Sequence, residues 1–236
     1  MLTDKLACGI KRTVDLTTSL MLTVVTAPLL LFAIFLVKLS SQGPVIYSQT
    51  RLGRARRPFT IYKIRSMYHD CERFSGPCWS TGNDPRVTTV GRFLRRSHLD
   101  ELPQLWNVIK GEMSLVGPRP ERPEFIAQLE KSLPRYGERL EVRPGLTGLA
   151  QVNLPPDVDQ MSVRRKLTYD LHYVENGGFW LDLRLILSTG LFLVGIPFAT
   201  SVRFLGLIPA GLEDVTVPRL RIVETIPIGA VAGNVQ

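Results

Sequence analysis

Two adjacent carboxylates occur in the stretch RRSHLDELPQLWNVIKGEMSLVGPRP, which runs from residue 95 to residue 120. Asp100 and Glu101, here called the acid pair, should repel each other when both are ionised. They could simply complement the dipole of a helix start, where the gain is small. That interpretation explains less well why Arg95 and Arg119 crowd the same segment. The alternative is a site that handles a metal ion and a phosphate group.

Arg119 lies in a turn that is stiffened by prolines at positions 118 and 120. A rigid turn presents a guanidinium at low entropy cost, which suits bidentate binding of phosphate. Two further cations, Lys63 and Arg65, alternate with apolar residues in TIYKIRSM. If this stretch is a strand, both cations point to one face and could bind a phosphate. A solvated strand face would show the same pattern.

The segment that follows the acid pair is predicted to be a helix. Ser97 with Asp100 three residues later resembles a capping box, and Pro103 fits a first helical turn. Apolar residues recur at helical spacing, at Leu102, Leu105, Trp106 and Ile109. Gly111 is expected to end the helix. The acid pair would then lie at a helix N-terminus, where backbone N–H groups stabilise anions.

Two short strands are predicted around an arginine-rich turn. Residues 45–47 and 59–64 are rich in β-branched and aromatic side chains, and RLGRARR lies between them. The turn could contact lipid headgroups or bind a nucleic-acid backbone. The apolar segment upstream favours lipid or a phosphorylated substrate.

Residues 16–37, LTTSLMLTVVTAPLLLFAIFLV, contain no charged side chain. As one straight helix they would reach about 33 Å, roughly the thickness of a bilayer core. Both flanks are basic, and basic flanks prefer the cytoplasmic side. A bend at Ala27-Pro28 would let the helix return to the same face, with Thr23 and Thr26 near enough to bind freed carbonyls. An ordinary kinked span is the alternative, and the pattern alone leaves both open.

The formal net charge of the 236 residues is +8, which favours an anionic partner such as nucleic acid, lipid headgroups or a phosphorylated substrate. The three cysteines are odd in number and widely spread, which argues against a disulfide framework. Residues 179–199 form a second apolar stretch, whose uncharged part is short for a span. We expect an amphipathic interfacial helix there.

Five motifs occur in order along the chain: KRTVDL, GPVIYSQTRLGRARRPFTIYKIRSM, DPRVTTVGRFLRRSHLDELPQLWNVIKGEMSLVGPRPE, RPGLTGLAQV and YDLHYVEN. Together they resemble the bacterial sugar transferases, the monotopic polyprenyl-phosphate phosphoglycosyl transferases, in their short form. The resemblance implies an α/β (α+β) cytosolic catalytic domain with an N-terminal re-entrant membrane helix and interfacial amphipathic helices. The expected divisions are 1–40 for the membrane helix, 41–200 for the catalytic domain and 201–236 for a tail of unclear role.

Two positions depart from the family pattern. Ala27-Pro28 stands where a Ser-Pro pair is often found, so hydroxyl help at the bend would come from a neighbour such as Thr26. His98 stands where the family often has Ser or Thr. The resemblance also implies a location at the bacterial inner membrane, with the catalytic domain on the cytoplasmic face.

The resemblance implies transfer of a sugar-1-phosphate from a UDP-sugar to polyprenyl (undecaprenyl) phosphate, with release of UMP. This reaction would start the synthesis of an exopolysaccharide, capsule, O-antigen or related glycan. Asp100 would be the covalent nucleophile, forming an aspartyl phosphosugar. Glu101 would be a ligand of Mg²⁺, with Asp100 beside it, because two anions can react only when their repulsion is offset.

The same resemblance gives roles to the surrounding polar residues. Arg95 and Arg119 would bind phosphate oxygens, and Lys63 would hold a substrate phosphate. Arg65 and Gln151 are further candidates for substrate contacts. The expected partners are a UDP-sugar, polyprenyl phosphate and membrane lipid, without nucleic acid. The sequence is compatible with a homo-oligomer, and it does not identify the sugar.

Two other functions are kept as alternatives. In a UDP-sugar phosphohydrolase, water would take the place of the lipid acceptor. A basic, membrane-tethered scaffold would bind anionic lipid or nucleic acid with an affinity that falls steeply with salt. Such a scaffold would need neither the acid pair nor the proline-framed Arg119.

Overall fold

The computed structural model describes residues 2–71, 84–156, 159–209 and 212, with side chains from residue 9 onward. Eight α-helices and four strands lie in these ranges. The helices are α1 Leu2–Ser40, α2 Thr89–Arg96, α3 Leu105–Lys110, α4 Pro123–Ser132, α5 Leu149–Asn153, α6 Gln160–Asn176, α7 Phe179–Leu193 and α8 Phe198–Phe204. The strands are β1 Ile46–Leu52, β2 Pro58–Ile64, β3 Ser114–Val116 and β4 Gly145–Thr147. Cys78 and most of the expected tail lie outside the described residues.

The strands form two separate two-stranded sheets. β1 and β2 pair antiparallel around the arginine-rich turn, which confirms the predicted hairpin. β3 and β4 pair in parallel, with Ser114 opposite Gly145. Gly145 is required there, because a Cβ atom at this position would collide with the backbone of Gly117. The close approach of these two chain segments holds the beginning of the Arg119 turn against β4.

Helix α1 is the one described helix that is long and apolar enough to cross a membrane, over Gly9–Ser40. Its N-terminal part contacts the rest of the chain through polar groups. Arg12 donates to the carbonyls of Val108 and Ile109 at 2.6 and 2.7 Å, which satisfies the end of α3. Asp15 accepts a hydrogen bond from the Leu115 amide at 3.0 Å. These basic and acidic side chains therefore hold α1 to α3 and β3.

The C-terminal part of α1 contacts the same body through apolar side chains. Ala33 and Val37 are buried in a cluster with Ile64 of β2 and Leu94 of α2. Both ends of the apolar helix are thus fixed to the folded part of the chain. Large apolar side chains of α1 are exposed mainly between Asp15 and Ala33. The exposed ones from Leu20 onward are Leu20, Met21, Val24, Val25, Leu29, Leu31, Phe32, Phe35 and Leu39.

Pro28 lies inside α1, as the sequence requires. Its missing N–H frees the carbonyl of Val24, four residues earlier. The hydroxyls of Thr23 and Thr26 do not donate to the Val24 carbonyl. Thr23 donates to the backbone carbonyl of Ser19 and Thr26 to that of Leu22, each at 2.7 Å. The expectation that these two hydroxyls bind the freed carbonyl was therefore wrong. Hydroxyl bonds of this kind to the preceding turn favour helix bending.

The second apolar stretch is divided into two helices. α7 ends at Leu193, and α8 begins after Pro197, whose ring and missing N–H suit a helix start. The domain boundary expected at residue 200 falls inside α8. Val202 and Leu207 are buried in the main core, so the folded unit continues past that boundary.

Candidate active site

The acid pair lies in a short 3-10 helix, Leu99–Gln104, between α2 and α3. α3 begins only at Leu105, so the acid pair is not at its N-terminus. The predicted capping by Ser97 was also wrong, because its hydroxyl donates to the carbonyls of Phe93 and Leu94 at the end of α2. Pro103 explains the difference, since proline disfavours the α conformation of the residue before it. Trp106, one of the apolar residues at helical spacing, is 57% exposed.

Glu101 is buried and bound by two cations. Lys63 of β2 donates to it at 2.7 Å, and Arg119 donates to both of its oxygens at 2.6 and 3.3 Å. Burial alone would raise the pKa of Glu101. The charges and hydrogen bonds of Arg119 and Lys63 outweigh it, so this pKa lies well below its usual 4.5. Glu101 is therefore ionised and holds both cations in place.

Asp100 is equally buried, at 6% exposed, but it has no hydrogen bond or ion pair to any residue that the structure describes. Burial, and then the neighbouring charge of Glu101, raise its pKa from 3.8 to about 6. Three cations oppose this shift: Lys63, Arg95 and Arg119. The acid pair is thus asymmetric, with one carboxylate neutralised by partners and one left unpartnered.

Arg95 comes from the last turn of α2, and its Nε atom donates to Ser66 at 2.9 Å. It faces the acid pair closely enough to oppose the raised pKa of Asp100. The structure therefore brings together five of the residues singled out from the sequence: Lys63, Arg95, Asp100, Glu101 and Arg119. The charges of three cations act on the Asp100 carboxylate, which is a suitable arrangement for a phosphate group.

Arg65 and Gln151 lie elsewhere. Arg65 follows the end of β2, is buried, and donates to the backbone and hydroxyl oxygens of Ser41 at 2.8 and 3.0 Å. It joins the end of α1 to the hairpin instead of contacting the acid pair. Gln151 donates to the Leu146 carbonyl, and its other amide atom, Oε1, has no hydrogen-bond partner among the described residues. It lines a cavity of about 20 Å³ that Arg119 also borders.

The Arg119 turn is fixed by groups that the sequence did not single out. Arg139 donates to the Arg119 carbonyl at 2.9 Å and forms a buried ion pair with Asp170 of α6 at 2.7 Å. It also donates to the Tyr136 hydroxyl at 2.6 Å. Arg51 of β1 binds the Pro120 carbonyl at 3.0 Å. Because Arg139 lies 20 residues from Arg119 and Arg51 lies 69 residues from Pro120 along the chain, no local spacing could reveal these two contacts.

The site contains few metal-binding groups. Within the described ranges no cluster of three or more His, Cys, Asp or Glu side chains could hold a metal ion. The acid pair itself supplies two carboxylates, and Asp100 has free oxygens. Mg²⁺ is commonly held by one or two carboxylates together with substrate phosphates and water. The residues present therefore fit a Mg²⁺ ion that is bound jointly with substrate, and not one enclosed by protein.

Comparison with known proteins identifies the family. The model of the bacterial sugar transferase family matches residues 6–195, and the chain belongs to this family. A UDP-N-acetylgalactosamine-undecaprenyl-phosphate N-acetylgalactosaminephosphotransferase of Aeromonas hydrophila is 41% identical over 180 residues, covering 76% of this chain and 42% of the relative. The chain thus spans less than half the length of that relative.

Two other relatives are matched over more of their length. A UDP-glucose:undecaprenyl-phosphate glucose-1-phosphate transferase of Caulobacter vibrioides is 43% identical over 183 residues, covering 76% of this chain and 67% of the relative. An exopolysaccharide production protein, PSS, of Rhizobium leguminosarum bv. phaseoli is 42% identical over 185 residues, with 76% of this chain and 92% of the relative covered.

Proposed function

We propose that this protein transfers a sugar-1-phosphate from a UDP-sugar to polyprenyl phosphate, releasing UMP. The observation that carries the proposal is the unpartnered, buried carboxylate of Asp100 beside Lys63, Arg95 and Arg119. A carboxylate without hydrogen bonds is a better nucleophile than one that is stabilised by cations. The names of the Aeromonas and Caulobacter relatives support the donor and the acceptor.

In the first half-reaction, an Asp100 oxygen attacks the phosphorus that carries the sugar. The bond between this phosphorus and the bridging oxygen breaks, and the electron pair leaves with UMP. In this scheme Lys63, Arg95 and Arg119 hold the phosphate oxygens and neutralise the charge that develops on them. Glu101 does not react in this scheme. It keeps Lys63 and Arg119 oriented toward the reacting carboxylate.

A Mg²⁺ ion bound by Asp100, Glu101 and substrate oxygens would supply Lewis-acid stabilisation of the leaving UMP. The side chains of this chain do the remaining work. Arg119 approaches from a turn whose carbonyls are fixed by Arg139 and Arg51, so its guanidinium is oriented before substrate binds. Burial of the acid pair strengthens these charge interactions by excluding water.

In the second half-reaction, a phosphate oxygen of the polyprenyl phosphate attacks the same phosphorus. The bond to Asp100 breaks, its electron pair returns to the carboxylate, and a diphosphate links the sugar to the lipid. No proton has to be transferred in either step. The acceptor is embedded in a membrane, so we further propose that α1 is a re-entrant helix in the bacterial inner membrane. The contacts of both its ends with one folded body support this topology, with that body on the cytoplasmic face.

The test is UMP release from a panel of UDP-sugars that begins with UDP-glucose and UDP-N-acetylgalactosamine. Purified protein is assayed with and without polyprenyl phosphate and Mg²⁺, beside Asp100→Asn and the control Asp159→Asn, which changes only the N-cap of α6. We expect a lipid-linked sugar phosphate from the wild type and Asp159→Asn, and none from Asp100→Asn. Mass spectrometry should find a phosphosugar on the peptide that contains Asp100.

The same assay separates the rival functions. Continuous UMP release that needs no polyprenyl phosphate and forms no lipid-linked product would indicate hydrolysis. Lipid binding that is unchanged by Asp100→Asn, without UMP from any donor, would indicate a basic scaffold. Either result would contradict the proposed transfer.

A further inference from the structure

His98 lies between the acid pair and helix α7. It precedes the 3-10 helix of the acid pair and has a left-handed backbone conformation, with φ 55° and ψ 15°. Its amide donates to the Arg95 carbonyl, and its carbonyl accepts from the Glu101 amide at 3.2 Å. These bonds fix the direction in which its side chain leaves the backbone. The ring is exposed, two residues from Asp100 in the chain.

The His98 ring contacts an aromatic side chain of α7. The centroids of His98 and Phe192 are 5.4 Å apart, and the two rings are perpendicular at 89°. Phe192 in turn stacks on Phe198 of α8, with centroids 4.2 Å apart and an interplanar angle of 2°. We call these three side chains the ring row. It runs without interruption from the segment of the acid pair to the α7–α8 connection.

The two ends of the ring row differ in polarity. At the first end, the nitrogens of His98 make no hydrogen bond or ion pair with any residue of the described ranges, so a ring N–H is free to donate. At the other end, apolar side chains are exposed beside Phe192. Leu193 is 62% exposed and Val194 is 76% exposed. The ring row thus joins a polar group, two residues from Asp100 in the chain, to exposed apolar side chains at the end of α7.

We propose that the ring row binds the acceptor, with the His98 ring N–H donating to its phosphate and Phe192 and Phe198 contacting its first isoprene units. This inference rests on the proposed function. The acceptor must bring a phosphate oxygen to the phosphorus held on Asp100 while its hydrocarbon stays out of water. The ring row offers a hydrogen-bond donor at His98, for the phosphate, followed by the apolar rings of Phe192 and Phe198, for the hydrocarbon. A polar sugar nucleotide has no group that matches its apolar end.

The proposal assigns His98 to the second half-reaction and not to the first. This division can be tested, because UMP release from an enzyme without acceptor reports the first half-reaction alone. His98→Gly removes the ring while favouring the left-handed backbone, so the variant should fold like the wild type. Phe192→Ala removes the middle of the ring row.

Two control variants match these changes. His172→Asn replaces a histidine on α6, away from the acid pair. Phe179→Ala removes an exposed aromatic side chain from the other end of α7, where Phe179 contacts Trp180 at 5.4 Å. Phe179→Ala therefore measures how much any exposed ring of α7 contributes to membrane binding in general.

The experiment measures two quantities for each variant in nanodiscs. The first is the single-turnover rate of UMP release in nanodiscs without acceptor. The second is the KM for acceptor in nanodiscs that contain undecaprenyl phosphate or a ten-carbon polyprenyl phosphate. For His98→Gly we expect an unchanged UMP rate and a KM raised about tenfold for both acceptors, the effect of one hydrogen bond to a charged group. Phe192→Ala should also raise the KM, and the two controls should not.

Three results would overturn the inference. An unchanged acceptor KM in His98→Gly and Phe192→Ala, with normal UMP release, would contradict acceptor binding by the ring row and leave the proposed function standing. A KM raised equally by Phe179→Ala would show general membrane binding. A changed rate of UMP release in His98→Gly would indicate that the His98 ring acts in the first half-reaction, at the UDP-sugar. If the wild type released no UMP at all, the proposed function itself would fail.

Discussion

At the scale of single residues, the acid pair shows how two neighbouring carboxylates obtain opposite properties. Glu101 is stabilised by Lys63 and Arg119, whereas Asp100 is buried and has no hydrogen-bond or ion-pair partner among the residues that the structure describes. The sequence could predict that the acid pair lies beside cations, because Arg95 and Arg119 are near it in the chain. It could not predict which carboxylate is free, because that depends on Lys63, which is 38 residues away from Glu101.

The first prediction concerns stability and pH. The pKa of Asp100 is raised in the folded state, so the folded chain binds more protons than the unfolded one between pH about 4 and 6. Its ionisation then lowers the free energy of unfolding as pH rises, by up to about 3 kcal/mol above pH 6. Asp100→Asn should therefore raise the thermal unfolding midpoint at pH 8 and lose this advantage near pH 4, while abolishing transfer.

Glu101→Gln provides the contrast. The pKa of Glu101 is lowered in the folded state. Its ionisation therefore stabilises the fold fully above the usual pKa of 4.5, and this stabilisation is lost as the pH falls through the folded-state pKa. Removing its charge breaks the ion pairs with Lys63 and Arg119 and leaves Asp100 as the carboxylate beside them, which should lower the free energy of unfolding. Thermal unfolding at pH 8 should shift in opposite directions for the two variants. A shift in the same direction would contradict the asymmetry of the acid pair.

At the scale of elements, the hairpin was predictable because its residue pattern and its turn are adjacent in the chain. The helix at the acid pair was misplaced because Pro103 can begin an α-helix or sit in a 3-10 helix, and spacing alone does not distinguish them. The Arg139–Asp170 ion pair had no local signal at all. It joins the 3-10 helix Tyr136–Leu140 to α6, and through the Arg119 carbonyl it reaches the site.

The second prediction tests whether this ion pair orients Arg119. Arg139→Met with Asp170→Leu replaces a buried pair by apolar side chains, which is often neutral for stability. We expect a thermal midpoint near that of the wild type but a rate of UMP release about tenfold lower, because the Arg119 carbonyl loses a donor. Single-turnover UMP release is the measurement.

The control for this prediction uses the same two elements. Arg135 and Glu175 form an exposed pair at 2.7 Å between the start of that 3-10 helix and α6. Arg135→Met with Glu175→Leu should change neither the thermal midpoint nor the rate appreciably, since exposed pairs contribute little. Equal rate losses in both double variants would show that any loosening of these elements slows the reaction, and would contradict a specific effect on Arg119.

At the scale of the whole molecule, α1 is attached to the folded body at two places. Arg12 and Asp15 hold its beginning, and Ala33 and Val37 hold its end. The apolar composition of α1 was readable from the sequence. Its two attachments were not, because the partners of Arg12 and Asp15 are about 100 residues away.

The third prediction decides between a re-entrant helix and a span. Thr13 and Lys38 are exposed on either side of the apolar stretch, and a straight helix would separate them by about 38 Å, enough to cross a bilayer core. Each is replaced by cysteine in a chain whose three native cysteines are serine, and labelled with a membrane-impermeant maleimide. Both should react in inside-out vesicles and neither in spheroplasts, because in the proposed topology one body on the cytoplasmic face holds both ends. Labelling of the two cysteines from opposite sides would establish a span, and would require one of the two attachments of α1 to be absent in the membrane.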